Sequence, residues 1–372
     1  MKTYNHLKVL YNEKLVGYLA KTSDGLVAFE YDGNWLNSGF SISPFSLPLD
    51  KKVFVPKKEP LGGLFGVFND SLPDGWGRLL VDRFLLKNKI SPSEIDNLNR
   101  LAVVQKNGMG ALTYEPEQKF DTISSFADYD KLAEECSKIL NSQNSEDLDY
   151  LFEIGGSSGG ARPKILVQID GEDWIIKFPS TVDNKNIGEQ EYEYSLCAKS
   201  CGIDMPETRL FPSKKCSGYF GVKRFDRKDG KRVHAVSAGG LLETSHSLPN
   251  LDYNILMKLT FSLTQNYKDI ERLYKLMCFN VYAHNRDDHS KNFSFLYDDA
   301  KKAWCLSPAY DLTYSFSLNG EHATTIDGEG KEPTLENILK VAENAGIKPS
   351  YAKETALEIR EKCRSLEKFF NL

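Results

Sequence analysis

The sequence predicts an α+β fold in which a β-rich N-terminal subdomain and a second strand-rich lobe pack on a mostly helical C-terminal lobe. Three observations predict it. Strand-type alternation is confined to residues 1–60 and to the stretch after residue 160, apolar residues at spacings of three and four dominate beyond residue 245, and the polar run Asn141-Ser142-Gln143-Asn144-Ser145 separates the first pattern from the second. The expected segments are therefore 1–145, 146–245 and 246–372. A chain of 372 residues, 41% hydrophobic and 27% charged, is long enough for two or three subdomains sharing a sizeable core.

The elements follow in order. V-G-Y-L at 16–19 and L-V-A-F-E-Y at 26–31, with a turn at Asp32-Gly33-Asn34, read as a β-meander. From Pro73 the pattern becomes helical, through Arg78-Leu79-Leu80-Val81 to Leu86, and Ser91-Pro92-Ser93-Glu94 has the form of a capping box opening the next helix. Residues 124–142 form an amphipathic helix. I-L-V-Q-I at 165–169 and D-W-I-I-K-F-P-S at 173–180 are strands by their β-branched and aromatic content, and a helix is expected over 189–201. Over 267–285, Ile270, Leu273, Leu276, Met277, Val281 and Tyr282 line one face of a helix. F-S-F-L, the polar turn Asp298-Asp299-Ala300-Lys301-Lys302 and A-W-C-L-S then make a β-hairpin. The closing helix, 351–370, places Ala352, Ala356, Ile359, Cys363, Leu366 and Phe370 on one side, a pattern that serves core packing or a partner seam.

Chemistry concentrates where the helix over 267–285 ends. Residues 285–292 read N-R-D-D-H-S-K-N, and the hairpin leads to P-A-Y-D at 308–311. An Arg-Asp followed by four residues and then an Asn sets one carboxylate, Asp287, beside an attacking hydroxyl and an amide oxygen, Asn292, beside a cation. A later carboxylate, Asp311, completes the oxygen shell, and such hard donors suit Mg²⁺. This is the side-chain set of a phosphotransferase. His289 lacks a second histidine at ligand spacing, so its role is to shape the loop.

Two upstream features agree. G-G-S-S-G-G-A-R-P-K at 155–164 lets the backbone approach phosphate oxygens closely, yet it is not a Walker A loop, because no Gly-Lys-Ser/Thr follows and Arg162-Pro163 would break the helix that motif opens. Lys177 is embedded among Trp174, Ile175, Ile176 and Phe178, where a lysine needs an anionic partner or an exit to solvent. In a phosphotransferase it would hold the nucleotide phosphates and pair with a helix glutamate, for which Glu191 is placed.

In this order, the motifs resemble those of the HipA-like serine/threonine kinases of bacterial toxin–antitoxin systems. The likeness covers most of the chain: V-G-Y-L, F-S-L-P-L (45–49) and L-F-G-V-F-N-D-S-L-P-D-G-W-G-R (64–78); Ser157, Gly160 and Lys164 of a Ser-x-x-Gly-x-x-x-Lys loop; and Asp287, His289, Lys291, Asn292, Tyr310 and Asp311. The resemblance implies a protein-kinase-related fold with ATP and Mg²⁺ as cofactors. It implies Asp287 as acceptor of the substrate hydroxyl proton, Asn292 and Asp311 as magnesium ligands, and Lys177 with Glu191 at the nucleotide phosphates. Ser157, Ser158, Gly159, Gly160 and Lys164 correspond to the nucleotide loop, with His289 and Lys291 nearby. Ser157 resembles the loop serine that family members phosphorylate on themselves, which switches them off; Ser158 offers a second hydroxyl. V-K-R-F-D-R at 222–227 looks like the adenine hinge, where main-chain groups of Lys223 and Phe225 would meet the base. Relatives often carry a glutamate at the position of Lys223 and Gln-Glu where this chain has Arg162-Pro163. The resemblance also implies a HipB-like helix-turn-helix antitoxin as partner, and a target in translation such as an aminoacyl-tRNA synthetase.

Composition excludes more than it assigns. A net charge of −5 and a pI near 5.8 argue against this chain gripping DNA by itself, so operator contact would come through the partner. No run approaches the roughly 20 apolar residues a membrane span needs, and the first twenty residues lack the apolar centre of a signal. Seven cysteines form no zinc-like pairs, and their odd number fits a reducing cytoplasm; Cys197 and Cys201 read as buried thiols rather than ligands. Two other readings stay open beside a toxin kinase: a small-molecule or lipid kinase, and a non-catalytic co-repressor subunit.

Overall fold

The computed structural model describes residues 2–104, 108–117, 128–247 and 249–370. They divide into two compact units. The first comprises 1–188, 210–236 and 240–244; the second comprises 189–209, 237–239 and 245–372.

The first unit opens with the expected meander. Strands β1 (His6–Tyr11), β2 (Lys14–Lys21) and β3 (Val27–Tyr31) pair antiparallel, with a register shift between Val9 and Leu10. Strand β4 (Leu112–Glu115) joins the other edge of β1, giving the order β3-β2-β1-β4. Leu7, Val9, Leu19, Phe29 and Tyr31 point to one buried face, as period-two alternation requires, while Val16, buried as well, is the unpaired residue at the register shift. Asp32-Gly33-Asn34 is not a hairpin turn. The Asp32 carboxylate accepts the Asn34 N–H at 2.8 Å and caps a short helix, Gly33–Ser38. The capping-box reading of Ser91–Glu94 also fails: Ser91 makes no side-chain cap, Pro92–Glu94 is one 3₁₀ turn, and the helix starts at Asn97 under an Asp96 cap. The expected helix over 124–142 is Tyr129–Leu140, N-capped by Asp128, while positions 124–127 lie outside the described residues.

The second sheet of this unit has the order β5-β6-β8-β7, where β5 is Lys164–Ile169, β6 is Glu172–Lys177, β7 is Thr208–Phe211 and β8 is Tyr219–Lys223. Helices Gly75–Lys87, Tyr129–Leu140 and Leu148–Gly155 supply Trp76, Leu80, Leu132, Ile139 and Leu151 to one core with Ile165, Ile176, Phe178 and Tyr219. That core draws on both sides of the polar stretch 141–145.

The second unit is mostly helical. Helix Tyr267–Tyr282 buries Ile270, Leu273, Leu276, Met277 and Val281, the face its periodicity marks. The hairpin pairs Ser294–Asp298 with Ala303–Leu306, and the Asp298 carboxylate accepts the N–H groups of Ala300 and Lys301 in the turn. The closing segment is helix Pro349–Cys363 followed by a 3₁₀ turn, Arg364–Phe369. Ala352, Ala356, Ile359, Cys363 and Leu366 are buried, so this seam is core packing. Among the described residues, no helix is long and apolar enough to cross a membrane.

Candidate phosphoryl-transfer site

In the second unit, the chain turns sharply after helix Tyr267–Tyr282. His284 adopts a left-handed φ of 51°, and the Asn285 N–H returns to the Asn280 carbonyl at 2.9 Å. The next side chains divide by depth. Asp288 is buried at the centre of a polar hub: Tyr253 Oη donates to Oδ2 at 3.0 Å, His322 Nδ1 lies 3.0 Å from the same oxygen, and Thr324 N–H donates to Oδ1 at 3.2 Å. Asn280 and Asn285 extend the hub through Tyr253. With Asp288 fixed inward, its neighbour Asp287 faces out, its side chain 60% exposed. An exposed carboxylate on a rigid stem is what a proton acceptor for an incoming hydroxyl requires.

The rest of the loop is tied to that stem. His289 Nδ1 accepts the Lys291 N–H at 3.2 Å, capping the turn Ser290–Asn292, while its Nε2 stays 4.0 Å from Asp287. That hydrogen bond holds the turn in shape. Asn292 Nδ2 donates to the Asp287 carbonyl at 2.6 Å, which commits the amide nitrogen and turns the side-chain oxygen elsewhere. The hairpin brings Tyr310 back: its hydroxyl donates to the Lys291 carbonyl at 2.6 Å and lies 2.6 Å from Ser294 Oγ. Asp311 follows, half-buried, at a left-handed φ of 54° that Asp tolerates better than most residues. Asp287, His289, Lys291, Asn292 and Tyr310 are thus held together by these contacts, with Asp311 next along the chain.

His284 gives this stem a pH dependence. Burial, with Arg286 and His322 nearby, pushes its imidazole down to about 4. An unfolded histidine titrates near 6.5, so as pH falls from 6.5 towards 4 the unfolded chain takes up the proton first and stability declines, levelling off below 4. His284→Asn, which suits the left-handed backbone, should remove that part of the slope when denaturant midpoints are compared with wild type across this range.

In the first unit, the glycine-rich loop rests on the start of helix Gly75–Lys87. The Trp76 N–H donates to the Gly160 carbonyl at 2.9 Å, and Trp76 Nε1 donates to the Lys164 carbonyl at 3.2 Å. Asp74 occupies the N-cap position, yet its carboxylate accepts the Gly160 N–H instead of capping its own helix. Ser158 Oγ donates to the Gly155 carbonyl at 2.6 Å; Ser157 Oγ is buried with no hydrogen-bond partner among the described residues. Gly77 explains the close approach, because a Cβ there would lie 2.1 Å from the Ser158 carbonyl oxygen. Gly77→Ala should therefore displace the loop, cost about 1–3 kcal/mol as overpacking does, and raise hydrogen exchange at 157–160.

Lys164 ends the loop, its ammonium donating to the Gly159 carbonyl. It sits directly opposite Lys177 in the β5–β6 register, and both are buried, Lys177 over the Phe220 ring at 5.6 Å. Two cations at one register position repel. The hinge candidates are more engaged than expected: Lys223 Nζ pairs with Glu172 at 2.8 Å, Lys223 lies opposite Trp174, and the Arg224 N–H donates to the Asp173 carbonyl. Phe225 is half-buried. Glu191 is buried on helix Ile187–Ser200 in the second unit, whereas Lys177 belongs to the first.

Sequence reasoning passed over Asp74, Asp288, His322 and Thr324. The doublet Asp287-Asp288 was the available signal, since two adjacent acids in one turn seldom face the same way.

Comparison with protein families now bears on the whole chain. Residues 7–115 match the HipA N-terminal domain, and residues 156–366 match the HipA-like C-terminal domain. The chain belongs to the HipA-like family. "Putative kinase Y4dM" of Sinorhizobium fredii is 24% identical over 334 residues, covering 83% of this chain and 80% of that protein. Y4mE of the same species, similarly designated, is 25% identical over 349 residues, covering 83% and 77%. Among solved structures, HipA of Shewanella oneidensis MR-1, in a complex with HipB and its operator DNA, superimposes with a TM-score of 0.70 at 18% identity. It covers 97% of this chain and 89% of that one, so the HipA fold extends over nearly the full length.

Proposed function

We propose that this HipA-like protein is an ATP- and Mg²⁺-dependent serine/threonine protein kinase that acts as a growth-restraining toxin. The observation that carries the reading is the catalytic-loop constellation. An exposed Asp287, an Asn292 locked to its main chain and a Tyr310-Asp311 pair anchored on Lys291 are the parts phosphoryl transfer uses, and few other reactions need them together.

The residues fit the cofactors. Asn292 and Asp311 are hard oxygen donors of the kind Mg²⁺ takes, and they would hold the ion; when bound, it would neutralise phosphate charge. Lys164, Lys177 and the loop amides would bind the nucleotide phosphates, with Glu191 assigned to Lys177 and the 223–225 backbone to the base. Asp287 would orient the substrate hydroxyl and accept its proton, an electrostatic and positioning task more than strong-base chemistry. Ser157 is the preferred site of autophosphorylation, because its hydroxyl makes no hydrogen bond among the described residues whereas Ser158 is committed to Gly155. A phosphate there would add about −1.5 to −2 charges next to the phosphates of a bound nucleotide, and their repulsion would disfavour the closed loop.

The name of the Shewanella complex, HipA with HipB and operator DNA, supports a HipB-like helix-turn-helix antitoxin as partner, with DNA contacted through it. The protein target, a translation component such as an aminoacyl-tRNA synthetase, rests on family likeness alone. Incubation with labelled Mg·ATP and then with cell extract tests the reading. Label on Ser157 and on an extract protein, absent with Asp287→Ala, supports it; label confined to a small metabolite, or no Mg·ATP binding, overturns it.

A further inference from the structure

Cys197 and Cys201 stand one helical turn apart, but the structure adds a third thiol that the sequence hides 162 positions further on. Cys363, the last residue of helix Pro349–Cys363, packs beside them, and the three sulfurs lie within 4.8 Å of one another. All three residues are buried, at 7%, 6% and 2% exposure. They are the one group of three or more potential metal-ligating side chains gathered this closely among the described residues. Cys136, Cys216, Cys278 and Cys305 stand outside it.

The geometry points to a three-thiolate site for one thiophilic d¹⁰ cation. A bond of about 2.3 Å to each sulfur places tetrahedral or trigonal thiolates about 3.8–4.0 Å apart, so the observed sulfurs need to close by less than about 1 Å. The donor set is soft throughout, which selects Zn²⁺ or Cu⁺ over Mg²⁺ or Ca²⁺. Position favours a cation as well: the cysteines sit at the C-terminal ends of two helices, where the macrodipole is negative and an isolated thiolate is disfavoured. Lys362, paired with Glu358 at 2.5 Å, donates to the Ser200 carbonyl at 2.7 Å and so already ties the two helix ends together beside the sulfurs. Ser365 Oγ, 3.7 Å from Cys197 Sγ, is a hydroxyl placed to complete a tetrahedral shell for zinc; without it the trigonal set suits Cu⁺. Binding exchanges three thiol protons for the ion, releases them to solvent and changes no oxidation state. Its consequence is a staple: the helix that carries Glu191 becomes fixed to the C-terminal helix.

The test uses full-length protein, reduced and freed of metal. Titration with Cd²⁺, a spectroscopic stand-in, should raise a sulfur-to-metal charge-transfer band that saturates at one equivalent, with an intensity per ion matching three Cd–S bonds. Competition against chromogenic chelators should then give a Kd of about 1 μM or tighter for Zn²⁺, Cu⁺ or both, and thermal unfolding should move upward with the ion that binds. Zn²⁺ alone would indicate the four-coordinate form and Cu⁺ alone the trigonal one. Cys363→Ser should weaken binding at least about 100-fold while Cys305→Ser leaves it unchanged. No band, a band worth only one or two Cd–S bonds, or equal binding by a Cys363→Ser protein with native circular dichroism would overturn the site and leave a packed thiol cluster. The wild-type band decides the matter even where the variant fails to fold.

Discussion

Asp311→Asn should lower phosphate transfer by roughly 10²- to 10³-fold, the usual loss when one group that stabilises developing charge is removed, while the chain stays folded. The choice of asparagine matters. Asp311 holds a left-handed φ of 54°, and asparagine is among the few residues that accept that conformation, so the substitution removes charge without adding backbone strain. Asp287→Ala should fail to a similar degree for a different reason. Its side chain is 60% exposed, so truncation leaves stability within about 0.5 kcal/mol of wild type, and the loss must arise from hydroxyl positioning and proton acceptance. The two variants separate in their metal dependence: excess Mg²⁺ should recover part of the activity of Asp311→Asn and none of that of Asp287→Ala. A phosphorimager assay with intact-mass spectrometry reads both. If either variant retains more than about a tenth of wild-type rate, that residue does not hold the role assigned to it.

The meeting of the 285–292 loop with Tyr310 was legible in sequence because both lie within one loop and one hairpin, whose short polar turn forces the strand ends together. Tyr310 meeting Lys291 is the outcome of that local geometry. What could not be read was long-range and irregular. Strand β4 carries only four residues and joins β1 across 100 intervening positions, so no local pattern announces its place in the sheet. Ser91-Pro92-Ser93-Glu94 looked like a capping box, yet the Asp96 carboxylate accepts the Asn99 N–H and wins the helix start. Asp32-Gly33-Asn34 had turn composition, but the same Asp side chain that favours turns also caps helices, and here the cap prevails. Asp74 is subtler: it sits at a helix N-cap and spends its carboxylate on a glycine 86 positions away.

Asp226→Ala should be the most destabilising single change in the first unit, by about 3–5 kcal/mol. Its carboxylate is buried and receives Arg224 Nε at 2.8 Å, Arg224 Nη2 at 2.7 Å, Arg227 Nη1 at 2.9 Å and the Gly110 N–H at 2.7 Å. The guanidinium groups of Arg224, Arg227 and Arg232 all donate to the Gly108 carbonyl, and Arg232 also reaches that of Gly110. The cluster ties the segment leading into β4 to the chain leaving β8, so it joins the two sheets of the unit and steadies the 223–225 backbone. Truncation would leave three clustered cations without their shared counter-charge, which costs far more than the intact network contributes relative to an apolar core. Against a typical total stability of about 5–15 kcal/mol, such a loss should appear as a large drop in the urea midpoint. The Arg224 and Arg227 guanidiniums overcome burial and hold the Asp226 carboxyl well below the usual carboxylate range. Its contribution is therefore complete above about pH 4, and fades as acid approaches the depressed folded value. Asp226→Asn, which keeps the shape and drops the charge, should fall between wild type and Asp226→Ala at pH 7 and lose the acid-dependent slope. A loss under about 1 kcal/mol for Asp226→Ala would mean that water or a neighbouring acid replaces the carboxylate, and the cluster would then not be the clamp between the sheets.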